Sequence, residues 1–300
     1  MANSIALSKI YTNLLDEVYK NSALTAVLES DASLARAGAN ANEIVIPKLS
    51  MSGLADYKRN SGYVNGDVTL NWETVQFNYE RGRMFQVDDM DNEETQNIAF
   101  GRLAGEFIRT KVVPELDAFR FATYAAVTGA GTATGTLATG ADVIAALRTA
   151  TSAMDEAEVP MEDRHLFITP TLLGLVEDLD TSKSKEVLSR FATITKVPQT
   201  RFYSAIKLND GTSSGEEAGG YVKASGAVDL NFEIIHKPAT LQFTKHAVPK
   251  IISPEQNQDA DAWKYGYRNY GLAILTRTRQ QVSMYTRRLP HHKVVLIWEE

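Results

Sequence analysis

A few stretches of this 300-residue chain carry residue types able to do chemistry. Gly211-Thr-Ser213-Ser-Gly215 is formally a G-x-S-x-G pattern, in which a serine on a strained strand-to-helix elbow attacks an acyl group. That elbow needs a strand before it and an apolar helix after it. Acids and two further glycines follow instead, so the stretch reads as a surface loop, with a small serine hydrolase using Ser213 as the alternative. Asp88, Asp89, Asp91, Glu93 and Glu94 crowd together next. As a calcium loop they lack the required glycine and the distal glutamate. As a helix start they fit, because acids stabilise the positive end of the helix dipole and Asp91 or Asn92 can cap it. Gly129, Gly131 and Gly135 miss a phosphate loop by one residue of spacing and follow a helical pattern, so they read as a linker. His165, His236 and His246 lack ligand spacing, and His291 and His292 are adjacent. Arg277 and Arg279 share one face of a strand pattern, facing phosphate or a paired or solvated surface. No nucleophile, base and orienting acid converge, so no catalytic, cofactor-binding or metal residue is assigned.

Composition narrows the class. Hydrophobic residues make up 44% and charged residues 23%, ordinary for a chain that buries a core. The net charge of -6 does not indicate a bulk basic surface for nucleic acid. Cysteine is absent, which excludes disulfides and thiolate metal sites. No apolar run approaches the ~20 residues of a membrane helix. The N-terminus lacks the layout of a signal peptide, so a soluble intracellular protein is expected.

The elements that would position these residues come in a definite order. Residues 4–37 have helical spacing, with Leu7, Ile10, Leu14, Leu15 and Val18 three or four apart. "ARAGANAN" (35–42) breaks it. "EIVIPKLSMSGLADYKR" (43–59) is extended, and its Pro47 argues for an edge or irregular strand. "NSGYVNGD" (60–67) holds Asn65-Gly66, a hairpin signal. "VTLNWETVQFNYERGRMFQV" (68–87) then reads as strand. Residues 43–87 therefore read as one hairpin with the second arm paired to 43–59, reaching roughly 60 Å at ~3.3 Å per residue. A lone two-stranded hairpin is marginal in water. Its aromatics need the surface of another chain, or else both strands belong to a larger internal sheet; the pattern alone leaves both open.

A helix is expected over about 92–127, with Phe100, Ala104, Ile108, Val112, Leu116 and Phe119 in one stripe. Pro114 should kink or restart it. Arg102/Glu106 and Lys111/Glu115 are expected as pairs on its wet side. "TGAGTATGTLATG" (128–140) is read as the link to a mixed α/β unit. That unit opens with a capping box of Thr139 and Asp142. It continues with strand "HLFIT" (165–169), a helix capped by Thr169 and opened by Pro170, strand "RFYSAIKL" (201–208), the 209–220 loop, and strand "DLNFEIIHK" (229–237). Residues 247–253 and 261–286 are strand-like. The last twelve residues, "LPHHKVVLIWEE", have no assigned role, and "VVLIW" would be a sticky edge unless paired.

This order, with "VVPELDAFRFATYAAVTG", "RHLFITPTLLGLVEDL", "IIHKPATLQF" and "WKYGYRNYGLAILTRTRQQVSMYT", is similar to that of tailed-bacteriophage major capsid proteins of the Hong Kong type. The resemblance implies an α+β phage capsid fold. Its parts would be an N-terminal arm (1–42), an extended hairpin loop (43–89), a peripheral domain with a long spine helix (90–138), an α/β axial domain (139–237) and a return to the peripheral domain (238–288), before a tail (289–300). It implies a structural protein, not an enzyme, without cofactor. Copies would form pentamers and hexamers of an icosahedral shell enclosing double-stranded DNA without sequence specificity, with a portal and, since the chain opens directly on the arm, a separate scaffolding protein or none. No membrane is involved. The location would be the virion capsid, assembled in the host bacterial cytoplasm. A wall that gripped phosphate would impede genome packing, which suits the acidic charge. The hairpin would lie over a neighbouring subunit, making Lys58, Tyr63, Trp72, Phe77, Tyr79, Arg81 and Arg83 the intersubunit candidates. Some members cross-link a hairpin lysine to an asparagine; Lys48 and Lys58 lie in the hairpin, but no partner asparagine or catalytic acid aligns. The alternative on the same fold is an encapsulin-type shell holding enzyme cargo.

Overall fold

The structure is a computed structural model and describes residues 23–30, 36–37, 42–60, 62–94, 98–127, 131–179, 181–275, 283–288 and 295–297. The arm pattern up to residue 22, Arg277, Arg279 and His291-His292 lie outside them, as do the side chains of Phe100, Arg102 and His246. The strands in chain order are β1 (Arg36–Ala37), β2 (Glu43–Met51), β3 (Val68–Gln76), β4 (Tyr79–Asp88), β5 (Gly131–Thr134), β6 (Arg164–Ile168), β7 (Thr193–Lys196), β8 (Ile206–Leu208), β9 (Tyr221–Lys223), β10 (Asp229–His236), β11 (Thr240–Ile252), β12 (Ala262–Leu275), β13 (Ser283–Arg288) and β14 (Val295–Ile297). The helices are α1 (Asp89–Glu94), α2 (Ile98–Phe107), a π-helical turn (Ile108–Val112), α3 (Val113–Ala125), α4 (Gly140–Glu156), α5 (Pro170–Glu177) and α6 (Ser182–Leu188).

The 68–87 segment is not one strand. It breaks at Phe77 and Asn78, and its halves join different sheets. β3 pairs with β2 from Glu43↔Gln76 to Met51↔Val68. β4 instead pairs with β12, in the sheet β11-β12-β4. The junction is pinned by Asn78, whose amide donates to Ala273 O at 2.8 Å and accepts from Ala273 N at 3.1 Å. A side chain thus supplies the two bonds that the next backbone pair would have made. Pro47 fits because β1 pairs only Ile44 and Val45, and among the described residues nothing pairs with the outer edge of β2 at Pro47.

The spine begins at Asp89, with the Met90 N–H held by Asp88 Oδ1 at 3.0 Å. Asp88, not Asp91 or Asn92, therefore takes the capping position. Ahead of Pro114 the helix widens into its π turn, and Val113 N–H donates to Ile108 O, five residues back. Proline has no N–H for the α ladder, and the chain restarts as α3 with Pro114 in its first turn. Ala104, Ile108, Val112 and Leu116 are buried as the stripe requires. Glu115 does not serve Lys111; it turns to β4.

The α/β unit has a six-stranded sheet, β14-β5-β13-β10-β6-β7. The Gly-rich link is not a bare linker, since 131–134 is a strand parallel to β13. β13 pairs with β10, so 283–288 joins this sheet rather than returning to the peripheral one. The tail's "VLI" pairs antiparallel with β5 and forms the outermost strand of the sheet. The Thr139–Asp142 capping box forms, with both backbone bonds present. Thr169 makes no side-chain cap. Of 201–208, only 206–208 is strand, paired with β9. At Gly140 an added Cβ would stand 2.1 Å from Leu175 O, so only glycine lets α4 approach α5 this closely.

Both faces of this sheet are covered, which is why β10 is buried along nearly its whole length and shows no alternation. On one face Phe232, Ile234, Leu166 and Ile168 pack with Val143 and Leu147 of α4. On the other, Phe167, Leu230 and Ile235 meet Phe121 and Tyr124 of the spine. Glu233 shares that second face, opposite Phe167 in register. It is fully buried, and among the described residues neither carboxylate oxygen has a hydrogen-bond partner. Burial therefore raises its pKa well above the ordinary value. The unfolded chain ionises this group near 4.5, so the stability present below that pH is lost progressively as pH climbs toward the raised folded value. Glu233→Gln removes the titration. Its melting profile from pH 5 to 8 is expected to be flatter than the parent's, by up to about 1.4 kcal/mol per pH unit. Parallel profiles would refute this reading.

Candidate functional site

The site is a surface rather than a catalytic constellation. Register partners on β2 and β3 share a face. Pro47/Trp72, Leu49/Leu70 and Met51/Val68 therefore lie on one side, an unbroken apolar strip. Leu49 is 53% exposed, Leu70 52% and Trp72 46%. The opposite side is apolar only at its root, where Ile44, Ile46, Val75 and Phe77 pack on Leu241 and Phe243. Further out it is polar, with Lys48 and Glu73 3.8 Å apart. The hairpin is amphipathic, and Leu49, Met51, Val68 and Leu70 on its apolar side are exposed. Strands 43–51 and 68–76 carry this signal in their alternation, but reading them as part of longer arms hides the register, and Pro47, Leu49, Met51, Val68 and Leu70 are not among the intersubunit candidates.

The seven candidates separate into two groups. Lys58, Tyr63 and Trp72 stand on the part of the hairpin beyond its packed root. Lys58 exchanges backbone hydrogen bonds with Gly62, and the Tyr57 and Tyr63 rings lie 4.8 Å apart. Phe77, Tyr79, Arg81 and Arg83 have partners inside the chain. Phe77 stacks on Tyr270 at 4.7 Å. Tyr79 is 3% exposed and donates to Glu115 Oε1 at 3.1 Å. Burial, followed by the Glu115 charge, pushes its pKa well up. Arg81 Nε donates to the same Glu115 oxygen at 2.7 Å, and its Nη2 to Asn209 O at 2.7 Å. Arg83 Nη2 donates to Glu217 O at 3.1 Å. The two arginines, on one face of β4, tie the 209–220 loop to the peripheral sheet.

Ser213 belongs to the same loop. Its hydroxyl donates to Asp210 Oδ2 at 2.5 Å, and the Thr212 and Ser213 N–H groups donate to Oδ1. These bonds hold the Asp210 carboxyl below its usual pKa. The pattern is an aspartate-nucleated turn in which the serine's proton faces a carboxylate, not an imidazole. His165 is elsewhere, bonded through Nδ1 to Thr193 Oγ1 at 2.7 Å. Among the described residues no group of acids and histidines is arranged to hold a metal, and no helix is long and apolar enough to cross a membrane.

Between β4, the π turn and the 209–223 segment lies a cleft of about 1130 Å³. Phe85, Phe107, Tyr267, Tyr221 and Val222 give it apolar walls, and Arg83, Lys111, Glu106 and Asp210 line it with both charges. Asn269, 2% exposed, also lines it, and its Nδ2 has no hydrogen-bond partner among the described residues. No sequence signal pointed to this cleft, which is built from segments far apart in the chain.

No protein-family model matches this chain, and no curated protein matches it. Solved structures match it in fold. That of Mycobacterium phage Che8 is 13% identical over 82% of this chain and 85% of its own, with a TM-score of 0.52. The capsid structure of cyanophage P-SCSP1u is 13% identical over 85% of both chains, with a TM-score of 0.54. A virus-like particle from Pyrococcus furiosus is 10% identical over 93% of this chain and 99% of its own, with a TM-score of 0.53. The chain has the α+β capsid fold of the tailed phages, as the order of its parts implied.

Proposed function

We propose that this chain is a structural shell protein, a major capsid protein whose copies form the pentamers and hexamers of a closed icosahedral shell around double-stranded DNA. The observation that carries the reading is the apolar strip of the hairpin, on which Leu49, Met51, Val68 and Leu70 are exposed. An isolated hairpin is marginal in water, and a contiguous exposed apolar face marks an interaction surface. The fold supports the same reading. A portal, a scaffolding protein and assembly in a bacterial cytoplasm belong to it as partners and setting; catalysis does not, since Ser213 is spent on a turn. A shell holding enzyme cargo is the second reading, supported by the 99% coverage of the Pyrococcus furiosus particle's chain.

Electron microscopy of the purified protein tests the proposal. Closed particles of uniform size are expected, and absorbance at 260 and 280 nm separates nucleic acid from protein cargo. A stable, monodisperse 33.1 kDa species at working concentration would overturn it.

A further inference from the structure

We propose that Asn65 is a site of spontaneous deamidation, converted with time to isoaspartate and aspartate through a cyclic imide formed with the Gly66 backbone. The Gly66 nitrogen attacks the side-chain carbonyl carbon of Asn65. Ammonia leaves and a five-membered succinimide closes. Water then opens the ring at one of its two carbonyls, giving isoaspartate or aspartate. The attack is intramolecular and needs only water as a further reactant, so its rate follows how readily the backbone nitrogen reaches the side chain.

The fold leaves this pair unrestrained. Asn65-Gly66 at the centre of a two-residue hairpin turn would be left-handed at both positions and held by the ladder. It is not used that way. Strand pairing ends at Met51/Val68, one further clamp joins Ser52 to Asp67, and neither Asn65 nor Gly66 has a positive φ. Both residues are exposed. Among the described residues neither the Asn65 amide nor the Gly66 N–H has a hydrogen-bond partner. Glycine, without a Cβ, also leaves the attacking nitrogen unhindered. Other asparagines are restrained: Asn78, Asn209, Asn231 and Asn257 each donate a side-chain amide to a backbone carbonyl. Asp210-Gly211 is the aspartate counterpart of the motif. There the Thr212 and Ser213 donors hold the carboxyl ionised, and a carboxylate resists attack. Each conversion at Asn65 adds one negative charge to a chain of net charge -6, and isoaspartate also adds a carbon to the backbone path. The converted fraction therefore records the age of a subunit.

Purified protein aged at pH 8 and at pH 5, digested with trypsin and mapped by mass spectrometry, tests this. The peptide 60–81 is expected to gain the mass of one amide-to-acid exchange at residue 65. Methylation by a protein-isoaspartate methyltransferase should identify isoaspartate among the products. Conversion should be at least tenfold faster at pH 8, where base removes the Gly66 amide proton more often. Gly66→Ala provides the control. Its added Cβ would meet only Ser52 side-chain atoms, at 3.5 and 3.9 Å, so circular dichroism and melting should not change. Conversion in this variant should slow at least tenfold, because the methyl group crowds the attacking nitrogen. A residue 65 that ages no faster than the other asparagines, or an equal rate in Gly66→Ala, overturns the proposal.

Discussion

Replacing Leu49 and Leu70 together with aspartate is expected to stop assembly while leaving the subunit folded. The two leucines face each other across the ladder on the apolar side, and both are about half exposed in the subunit, so the fold loses little. An interface that buries them loses about 1.5 kcal/mol or more for each. Together that is about 3 kcal/mol, roughly a hundredfold in the concentration needed to assemble, before the cost of burying two carboxylates. Light scattering against concentration would measure the shift, with circular dichroism as the control. A threshold within a few fold of the parent's would refute the strip as an interface. Shortening the hairpin gives the same test without added charge. Pro47 and Trp72 are register partners, so removing 48–71 and joining them through a Gly-Ser turn leaves a shorter hairpin. A cut extended to 82 would instead remove part of β4 and with it an edge of the β11-β12-β4 sheet.

The largest loss of stability is expected from Asp117→Ala. Asp117 is fully buried in the spine. It accepts from Leu24 N at 3.1 Å, Thr25 N at 3.2 Å, Thr25 Oγ1 at 2.7 Å and Arg201 Nη1 at 3.4 Å. Arg120 Nη1 completes the network by donating to Thr25 Oγ1 at 2.8 Å. One carboxylate thus fastens the incoming 24–28 turn and the start of the 201–208 segment to the helix. Burial nevertheless raises its pKa, against the pull of its hydrogen bonds. Alanine would leave several buried donors and a guanidinium uncompensated, at a cost of about 3–5 kcal/mol. Urea denaturation would show it as a lower midpoint with an unchanged slope. A loss below about 1 kcal/mol would mean that water replaces the carboxylate readily. Asp117→Asn, which keeps one acceptor, should fall between.

Local chemistry was legible without coordinates. The Thr139–Asp142 box, the restart of the spine at Pro114 and the edge position of Pro47 each depend on bonds within a few residues, and the structure places them as the pattern demands. The aspartate turn around Ser213 was readable for the same reason. What failed was pairing. The run 68–87 has no local mark that stops it at Phe77, because the mark is the Asn78 amide bonding to Ala273, 195 residues away. Arg81 and Arg83 look like exposed cations on a strand until β4 is set against the 209–220 loop, whose carbonyls take their protons.

The sequence by itself determined the kinds and order of the elements, the covered and bare stripes of its helices, the absence of a thiol and the need for something to cover the hairpin. Only the tertiary structure decided which face of that hairpin is apolar and exposed, that its continuation belongs to an internal sheet, that "VLI" is the outermost strand of the six-stranded sheet, and that Asn269 Nδ2 has no partner among the described residues at a cleft. The physical reason is range. Propensity, capping and turn chemistry act over a few residues, whereas strand register and the fate of a buried polar atom depend on partners brought together across the whole chain.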